Sequence, residues 1–346
     1  MSGSQGAAGQ PGRRAGEAPP IVVSGMRPTG KLHLGHLLGT LRNWVALQAE
    51  HRCHFFVADW HVVTTDYEHP GEIARYSEEM VLDWLAAGID PERTVIFQQS
   101  AILEHAELFL LLGMLCPVPW LERNPTYKEQ REQLSDRDLS TFGFLGYPVL
   151  QAADILMYKA NHVPVGVDQV PHIELCREIA RRFNHLYGKV FPEPQALLSA
   201  APKVPGLDGR KMSKSYNNAV YLDEEPAEIR AKLSRMMTDP RRVRRTDPGD
   251  PKDCPAFNLH TVYCTPEEIA RVTVGCTTAG IGCLECKGIM IDHVLVDLAE
   301  HRERRRALAA RPGYVREVLA AGNQKAREQA RATMAQVRAA VGVGGS

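Results

Sequence analysis

Short apolar runs and helical patterns alternate along the first half of the chain. Ile21–Val23 is a continuous apolar run that ends at Gly25, which is typical of a buried strand followed by a turn. Cys53–Trp60 and Thr94–Gln98 predict two further strands, and helical periodicity is present at Ile73–Ala87. Strands that alternate with helices predict an α/β fold, with a Rossmann-like parallel sheet in a nucleotide-binding catalytic domain.

Helical patterns dominate the second half. A mostly apolar stretch from about residue 138 to Tyr158 predicts one helix, and Asp168–Leu186 predicts another that Asp168 would cap. Strand signals fade after the loop at 202–218, and residues 226–340 predict helices that a cysteine-rich segment interrupts. We therefore expect a disordered tail at 1–20, a catalytic domain at 21–217 and a helical domain at 218–340, whose last helix could return to the catalytic domain.

The first candidate site is Arg27-Pro28-Thr29-Gly30-Lys31-Leu32-His33-Leu34-Gly35-His36, where the first predicted helix begins. His33 and His36 share one face of the first helical turn. A helix start attracts phosphate through its free N–H groups and dipole, and two imidazoles can donate hydrogen bonds to phosphate oxygens. Gly35 lets a ligand approach the backbone. Two surface histidines at a helix start are the alternative.

The second candidate site is the glycine-flanked loop Lys211-Met212-Ser213-Lys214-Ser215. Its two lysines supply mobile charges suited to a pyrophosphate leaving group. A loop of this kind can close over ATP once the substrate is bound. A solvated basic loop is the alternative, but the complete five-residue string is far more specific than a pair of lysines.

The two sites resemble the HIGH and KMSKS signature motifs of class I aminoacyl-tRNA synthetases, with Leu34 in place of Ile. Tyr147–Leu156 resembles the substrate-reading helix of tryptophanyl-tRNA synthetases, and Val163–Gln169 resembles their ATP- and amino-acid-contacting loop. The resemblance, from about Ser24 to about Gln336, implies a tryptophan–tRNA ligase. Such an enzyme forms tryptophanyl-AMP from ATP and L-tryptophan with Mg²⁺, charges tRNA(Trp), and is a homodimer. The helical domain would read the tRNA anticodon.

The resemblance also implies roles for individual residues. The catalytic residues would be His33, His36, Lys211 and Lys214. The residues that contact ATP would be Arg27, Pro28, Thr29, Gly35, His36, Gly166, Val167, Asp168, Lys211, Met212, Ser213, Lys214 and Ser215. The family usually has Glu at the position of Val167. Tryptophan would contact Tyr147, Gln151, Asp154 and Gln169.

Asp154 is an acidic residue in an otherwise apolar stretch, and it shares one helix face with Tyr147 and Gln151. A buried carboxylate needs a partner, and the indole N–H of tryptophan is a donor only. Such a carboxylate favours Trp over Phe, because Phe leaves the acceptor unpaired. Tyrosine can also donate, so the shape of the pocket must exclude it. A structural cap or ion pair is the alternative role for Asp154.

Four cysteines form a candidate metal site. Cys254, Cys276, Cys283 and Cys286 are separated by 21, 6 and 2 residues, and the closing CxxC is typical of soft-metal sites. Four thiolates suit a [4Fe–4S] cluster or Zn²⁺, and inert thiols are the third alternative. A subset of tryptophanyl-tRNA synthetases carries an iron–sulfur cluster on a similar pattern, whose first gap is one residue longer. Cys264 is an extra candidate that the pattern does not require.

Charge and composition limit the choice of partners. Lys plus Arg and Asp plus Glu both number 41, so no overall basic field points to DNA, and an RNA must be held by local patches. Asp239–Arg245 contains four arginines and suits RNA phosphates, with a solvated charged turn as the alternative. The start of the chain lacks a secretory signal, and no apolar run is long enough to span a membrane. We expect a cytoplasmic protein without a membrane partner.

Three other functions remain open at this point. A tyrosyl-tRNA synthetase has the same fold with another pocket. A class I nucleotidylyltransferase can share the HxGH helix start, but the full KMSKS string and the long helical C-terminal region weigh against it. A non-enzymatic RNA-binding paralogue is the third, and the intact signature motifs weigh against it.

Overall fold

A computed structural model describes residues 18–68, 70–125, 127–129, 139–198 and 204–344. The tail predicted at 1–20 lies mostly outside the described residues. Five parallel strands form one sheet: β1 Ile21–Met26, β2 Arg52–Val57, β3 Thr94–Gln98, β4 His162–Val165 and β5 Gln195–Leu198. Their order is β3-β2-β1-β4-β5. This arrangement confirms the predicted Rossmann-like sheet, and it places the reversal of winding between β1 and β4.

Helices follow the strands and then fill the C-terminal region. The first, α1, combines α-helical Leu34–His36, π-helical Leu37–Leu41 and α-helical Arg42–Leu47. The others are α2 Asp59–Val63, α3 Ile73–Ala87, α4 Glu104–Leu115, α5 Val118–Glu122, α6 Phe142–Met157, α7 Val170–Tyr187, α8 Pro226–Ser234, α9 Pro255–Tyr263, α10 Pro266–Thr277, α11 Cys283–Ala309 and α12 Tyr314–Val341. Short 3₁₀ turns include Val167–Gln169 and Lys214–Tyr216. Within the described ranges, the helices are too short or too polar to cross a membrane.

The sheet is buried between two apolar layers. Val22 and Val23 are adjacent on β1 and point to opposite faces, so each belongs to a different layer of the core. The layer of Val22 also contains Trp44 and residues of α8 and α11. Because helices cover both faces, β2 is buried at every position after Arg52 and does not alternate between apolar and polar residues.

The C-terminal helix α12 packs along β3. Gly322 allows the close approach, since a Cβ atom there would lie 1.7 Å from the carbonyl oxygen of Ile96. The backbone N–H of Gln98 donates to Asn323 Oδ1 at 2.8 Å. The long α12 therefore covers an edge strand of the sheet and satisfies part of its backbone.

Two predicted boundaries are wrong. The strand predicted at Cys53–Trp60 ends at Val57, because Ala58 leaves the extended conformation and α2 begins at Asp59. The helix predicted from Asp168 begins instead at Val170, and Asp168 does not cap it. Gln169 occupies the N-cap position, and its side chain makes no capping hydrogen bond.

The cysteine-rich segment was predicted to interrupt the helices, but its cysteines lie at helix ends. Cys254 is the N-cap residue of α9, and Cys276 lies in the last turn of α10. Cys283 and Cys286 lie in the first turn of α11. The start of a helix favours negative charge, so the positions of Cys254, Cys283 and Cys286 suit thiolates, whereas Cys276 lies at the opposite end of its helix.

Candidate active site and cysteine pocket

A cleft of about 440 Å³ opens beside the carboxyl ends of β1 and β4, where the winding of the sheet reverses. Its volume is within the usual range for small-ligand sites, and its position is the usual ligand position in open parallel sheets. Eight of the residues that the sequence assigned to ATP or tryptophan line this cleft: Arg27, Thr29, His36, Tyr147, Gln151, Asp154, Gly166 and Gln169.

The two histidines of the first motif hold each other at the start of α1. Nδ1 of His33 accepts the N–H of Gly35, and Nδ1 of His36 accepts the N–H of His33, both at 3.1 Å. Because each Nδ1 is an acceptor, the ring proton lies on Nε2, which is left to donate. Burial, with Lys211 as a further cause, lowers the pKa of His33 to about 4. Burial and the nearby cationic groups lower the pKa of His36 to about 3.

The second motif lies against the first. The backbone N–H of Leu34 donates to the carbonyl of Val220 at 2.9 Å, and that of Leu222 donates to Leu32 at 3.0 Å. The chain that follows Lys211–Ser215 is thereby paired with the start of α1. Lys214 reaches the turn after β1, where its Nζ lies 3.0 Å from the position that a Cβ atom would occupy if Gly30 carried a side chain.

Some assigned residues lie outside the wall of the cleft. Pro28 is a buried residue of the turn that follows β1. His33 is the N-cap residue of α1 and Gly35 lies in its first turn, and neither residue lines the cleft. Met212 is 4% exposed and belongs to the core. Val167 is 74% exposed, so its side chain does not face a closed pocket. Five further assigned residues also lie outside the cleft wall. They are Asp168, whose Oδ1 lies 2.5 Å from the position that a Cβ atom would occupy at Gly166, and the loop residues Lys211, Ser213, Lys214 and Ser215.

Asp154 lies at the bottom of the cleft and is fully buried. Its carboxylate accepts hydrogen bonds from His61 Nε2 at 2.9 Å, from Gln99 Nε2 at 2.8 and 2.9 Å, and from His105 Nδ1 at 2.5 Å. Burial raises the pKa of Asp154, but the hydrogen bonds from His105 and His61 outweigh it, and the net pKa is below the ordinary value. The carboxylate is therefore ionised and firmly oriented.

Sequence reasoning did not find these three partners. Gln99 follows the end of β3, and His61 lies in α2, just beyond the end of β2. Polar residues after the carboxyl ends of parallel strands meet at one edge of the sheet, and that signal was available for both residues. His105 lies inside the apolar helix α4 and carries no comparable signal.

The four predicted metal ligands line one pocket. Cys254, Cys276, Cys283 and Cys286 face it from the ends of three helices. Burial, reinforced by the other thiols, raises the pKa of Cys286 to about 12, so a bound cation would have to displace its proton.

Two cationic side chains border the same pocket. Nη1 of Arg242 lies 4.0 Å from Sγ of Cys276. Lys287 is 6% exposed, and its Nζ donates to the backbone carbonyls of Ser234 and Met236. A buried ammonium and a guanidinium beside four thiols compensate negative charge, so the donor set and its surroundings fit an anionic thiolate site.

A smaller ligand set lies beside the pocket. The ligand atoms of Cys264, Glu268 and His293 are all within 4.8 Å of one another, and no other such compact set occurs in the described ranges. Hydrogen bonds explain why these three side chains lie close together. Glu268 Oε2 accepts from the N–H of Thr265 at 2.9 Å and from His293 Nε2 at 2.8 Å. His260 Nδ1 contacts Cys264 Sγ at 3.2 Å. We assign no metal to these residues.

Three arginines of the arginine-rich segment make hydrogen bonds or ion pairs within the protein. Arg242 donates to the carbonyls of Arg245 and Ile281 at 3.0 and 2.7 Å. Arg245 donates to the carbonyls of Ala279 and Gly280. Arg241 forms ion pairs with Asp253 and Asp250. Three of the four guanidinium groups thus bond within the protein, while Arg241, Arg244 and Arg245 remain exposed, and RNA contact by this segment stays a prediction.

Known proteins resemble the chain over nearly its whole length. The family model for class I tRNA synthetases (W and Y) matches residues 15–288. The tryptophan–tRNA ligase of Thermotoga maritima is 55% identical over 322 residues, which cover 92% of this chain and 98% of the relative. That of Aquifex aeolicus is 46% identical over 390 aligned residues, covering 92% and 99%.

Solved structures agree with these sequence matches. Tryptophanyl-tRNA synthetase from Campylobacter jejuni superposes with a TM-score of 0.82 at 30% identity, covering 93% of this chain and all of the other. The chain therefore belongs to the class I tRNA synthetases of the tryptophan and tyrosine family, and it is a tryptophan–tRNA ligase.

Proposed function

We propose that the cleft between β1 and β4 carries out tryptophan activation, with ATP at its α1 side and the indole at Asp154. The tryptophan carboxylate attacks the α-phosphate of ATP, forms tryptophanyl-AMP and releases pyrophosphate. The aminoacyl group then passes to the terminal adenosine of tRNA(Trp). The observation that carries the proposal is the convergence of eight assigned residues on one cleft. The relative from C. jejuni was crystallised with ADP and tryptophan.

Positioning and charge stabilisation are enough for this chemistry, and we assign no covalent nucleophile. The neutral rings of His33 and His36 would donate from Nε2 to phosphate oxygens as negative charge develops there. Lys211 and Lys214 would stabilise the leaving pyrophosphate, and Mg²⁺ would accompany ATP as its counter-ion. Arg27, Thr29 and the backbone at Gly166 would border the nucleotide.

The tryptophan subsite would be read by Asp154. A carboxylate has about four acceptor positions, and His61, Gln99 and His105 make four contacts with them, so the indole N–H would displace one of these contacts. His61 lies beside Asp154 on the cleft wall. Tyr147, whose hydroxyl lies 2.8 Å from His172 Nε2, would shape the pocket with Gln151 and Gln169.

A charging assay tests this assignment of substrate and tRNA. Purified protein is incubated with ATP, Mg²⁺ and radioactive tryptophan or tyrosine, with tRNA(Trp) or tRNA(Tyr) as acceptor. We expect only the pair of tryptophan and tRNA(Trp) to give acid-precipitable product. Charging of tRNA(Tyr) with tyrosine at a comparable rate would refute the assignment.

We further propose that Cys254, Cys276, Cys283 and Cys286 hold a [4Fe–4S] cluster, with Zn²⁺ as the alternative. The four thiols share one pocket with Arg242 and Lys287, and this donor set with cationic neighbours supports a bound group of negative net charge. When bound, the cluster would cross-link the ends of α9, α10 and α11.

The cluster proposal is tested by the visible spectrum and metal content of anaerobically purified protein. A brown protein with about four irons per chain supports it. A colourless protein with about one zinc per chain, or with neither metal, refutes it. A Cys283→Ser variant should lose the colour and the iron, whereas Cys53→Ser, at a buried cysteine of β2, should keep both.

We also propose that the protein is a homodimer. Leu103, the N-cap residue of α4, is 70% exposed, and Leu110 and Met114 within the helix are 58% and 71% exposed. Val118 and Phe142 are 51% and 75% exposed. Exposed apolar patches mark interaction sites.

Light scattering should give the mass of a dimer, and Met114→Glu should give a monomer. Val296→Glu, at a 75% exposed position on α11, is the matched control and should stay dimeric. A monomeric wild type would contradict the proposal.

The domain division remains a proposal as well. We propose that residues 21–217 form the catalytic unit and that residues 218–340 bind the tRNA. The helices α8 to α11 that follow Lys211–Ser215 support a separate role, although α8, α9 and α11 share a hydrophobic core with β1 and α1. Protection of the tRNA(Trp) anticodon from nuclease by the whole protein is the expected result, and an unprotected anticodon would oppose it.

A further inference from the structure

One buried amide bonds the backbone on both sides of Met212 in the Lys211–Ser215 loop. Asn218 is 2% exposed. Its Oδ1 accepts the backbone N–H of Ser213 at 2.8 Å, and its Nδ2 donates to the backbone carbonyl of Lys211 at 3.2 Å. The amide therefore holds the backbone on both sides of Met212 through one side chain.

The same amide is tied to the turn that precedes the loop. Nδ2 of Asn218 also donates to Oδ1 of Asp208 at 2.7 Å, and a hydrogen bond to a carboxylate is stronger than one between neutral groups. The turn closes through the N–H of Gly206, which donates to the carbonyl of Arg210 at 2.6 Å. The loop is thus fixed to a compact turn at its base.

There is no space for a side chain at Gly206, which packs directly on this amide. A Cβ atom on Gly206 would lie 2.1 Å from Nδ2 of Asn218. The backbone carbonyl of Asn218 accepts the N–H of Leu207 at 2.9 Å. Since the amide is enclosed, its three hydrogen bonds cannot be replaced by bulk water, and their loss leaves buried groups unpaired.

The anchored base determines where the two lysines lie. Met212 is buried next to Gly35, with its Cβ atom 3.8 Å from a Cβ position there. Beyond Ser213 the chain makes a 3₁₀ turn, and Lys214 Nζ lies 3.0 Å from a Cβ position on Gly30. A shift of the backbone at Lys211 or Ser213 would move both lysines relative to α1.

We propose that Asn218 is a positioning residue for adenylate formation, which holds Lys211 and Lys214 where the pyrophosphate leaves. This rests on the role of the lysines proposed above. Because the pyrophosphate has left before tRNA is charged, the inference separates the two steps of the reaction. Loss of the amide should slow activation of tryptophan and leave the transfer step unchanged.

The test compares Asn218→Ala with Asn184→Ala in the full-length protein. Asn184 is a matched control, because its side chain also makes three hydrogen bonds, and these go to the loop backbone at Val190 and Phe191 and not to the Lys211–Ser215 loop. Three quantities are measured for each: the melting temperature, kcat and KM for ATP in tryptophan-dependent pyrophosphate exchange, and the single-turnover transfer rate from preformed tryptophanyl-AMP to tRNA(Trp).

We expect Asn218→Ala to lower kcat of exchange by about tenfold or more, with transfer within about twofold of wild type. Asn184→Ala should lower the melting temperature with exchange within about twofold. An Asn218→Ala exchange rate near wild type, or an equal fall in both steps, would overturn the inference. If the wild type itself shows no tryptophan-dependent exchange, the proposed function fails and not this inference alone.

A charge swap keeps the test decisive if Asn218→Ala does not fold. Asn218→Asp replaces the 2.7 Å hydrogen bond to Asp208 with two carboxylates that repel each other. The rate of pyrophosphate exchange should therefore fall strongly. In the double variant Asp208→Asn with Asn218→Asp, the amide and carboxylate exchange places and the contact is restored. We expect the double variant to recover part of the lost exchange rate. No recovery relative to Asn218→Asp would contradict the proposed contact.

Discussion

The imidazole rings of His33 and His36 lie with their centroids 3.8 Å apart at the start of α1. Each ring uses Nδ1 to accept a backbone N–H of the first helical turn. The pair therefore satisfies N–H groups that a helix start otherwise leaves free, and it fixes both rings as neutral donors from Nε2. The motif supplies directed hydrogen bonds and not positive charge.

This relationship predicts how the two rings titrate. Burial lowers the pKa of His33 to about 4 and that of His36 to about 3. Because unfolded rings bind protons near pH 6.5, the folded state should lose stability as the pH falls from about 6.5 toward these values. ¹⁵N NMR of the imidazoles should show the Nε2–H tautomer for both residues throughout pH 6–8. A ring that titrates near pH 6.5 would contradict the geometry.

Gly35 is predicted to be essential for the packing of the pair. A Cβ atom there would lie 2.9 Å from Cε1 of His33, so Gly35→Ala should displace the ring and lower pyrophosphate exchange by about tenfold or more. Gly39→Ala is the control, since Gly39 lies in the same helix with no atom within 4 Å of the added Cβ. Equal activity of both variants would show that the ring position does not matter.

Lys214→Ala should reduce tryptophan-dependent pyrophosphate exchange by about tenfold or more, because it removes a charge that would stabilise the leaving group. Lys325, an exposed lysine on α12, provides the comparison. We expect Lys325→Ala to keep the wild-type rate. An unchanged rate for Lys214→Ala would disprove the role given to this loop.

Asp154→Asn should affect both stability and tryptophan binding. The new amide would face three donors, and breaking such a buried charged network costs about 3–5 kcal/mol. We expect a lower melting temperature and a KM for tryptophan raised by about tenfold or more, with KM for ATP nearly unchanged. Asp292→Asn, at an exposed ion pair with Arg230, should change neither. If only stability falls, Asp154 is a structural residue.

The sequence predicts the sheet and both signature motifs because each depends on local pattern. Thr94–Gln98 and Ile73–Ala87 have the bounds that were predicted, since apolar runs and helical periodicity are properties of neighbouring residues. The helix start at Val170 was missed because a short turn at Val167–Gln169 occupies the capping position instead.

Long-range partners could not be read from the sequence. His105 and Asp154 lie on different helices, and only the folded core brings them to 2.5 Å. The arginine pattern predicts an RNA patch, but it could not show that Arg242 and Arg245 also donate to the backbone carbonyls of Ile281 and Ala279. A sequence pattern gives the types and spacing of residues. Which donors and acceptors pair with each other depends on the folded structure.

The central claim is that the cleft at Asp154 activates tryptophan in preference to other aromatic amino acids. The most direct measurement is ATP–pyrophosphate exchange by the unmodified protein with tryptophan, tyrosine or phenylalanine as the sole amino acid. We predict exchange with tryptophan and a rate near background with the other two. Exchange with tyrosine or phenylalanine at a rate comparable to that with tryptophan would contradict the account.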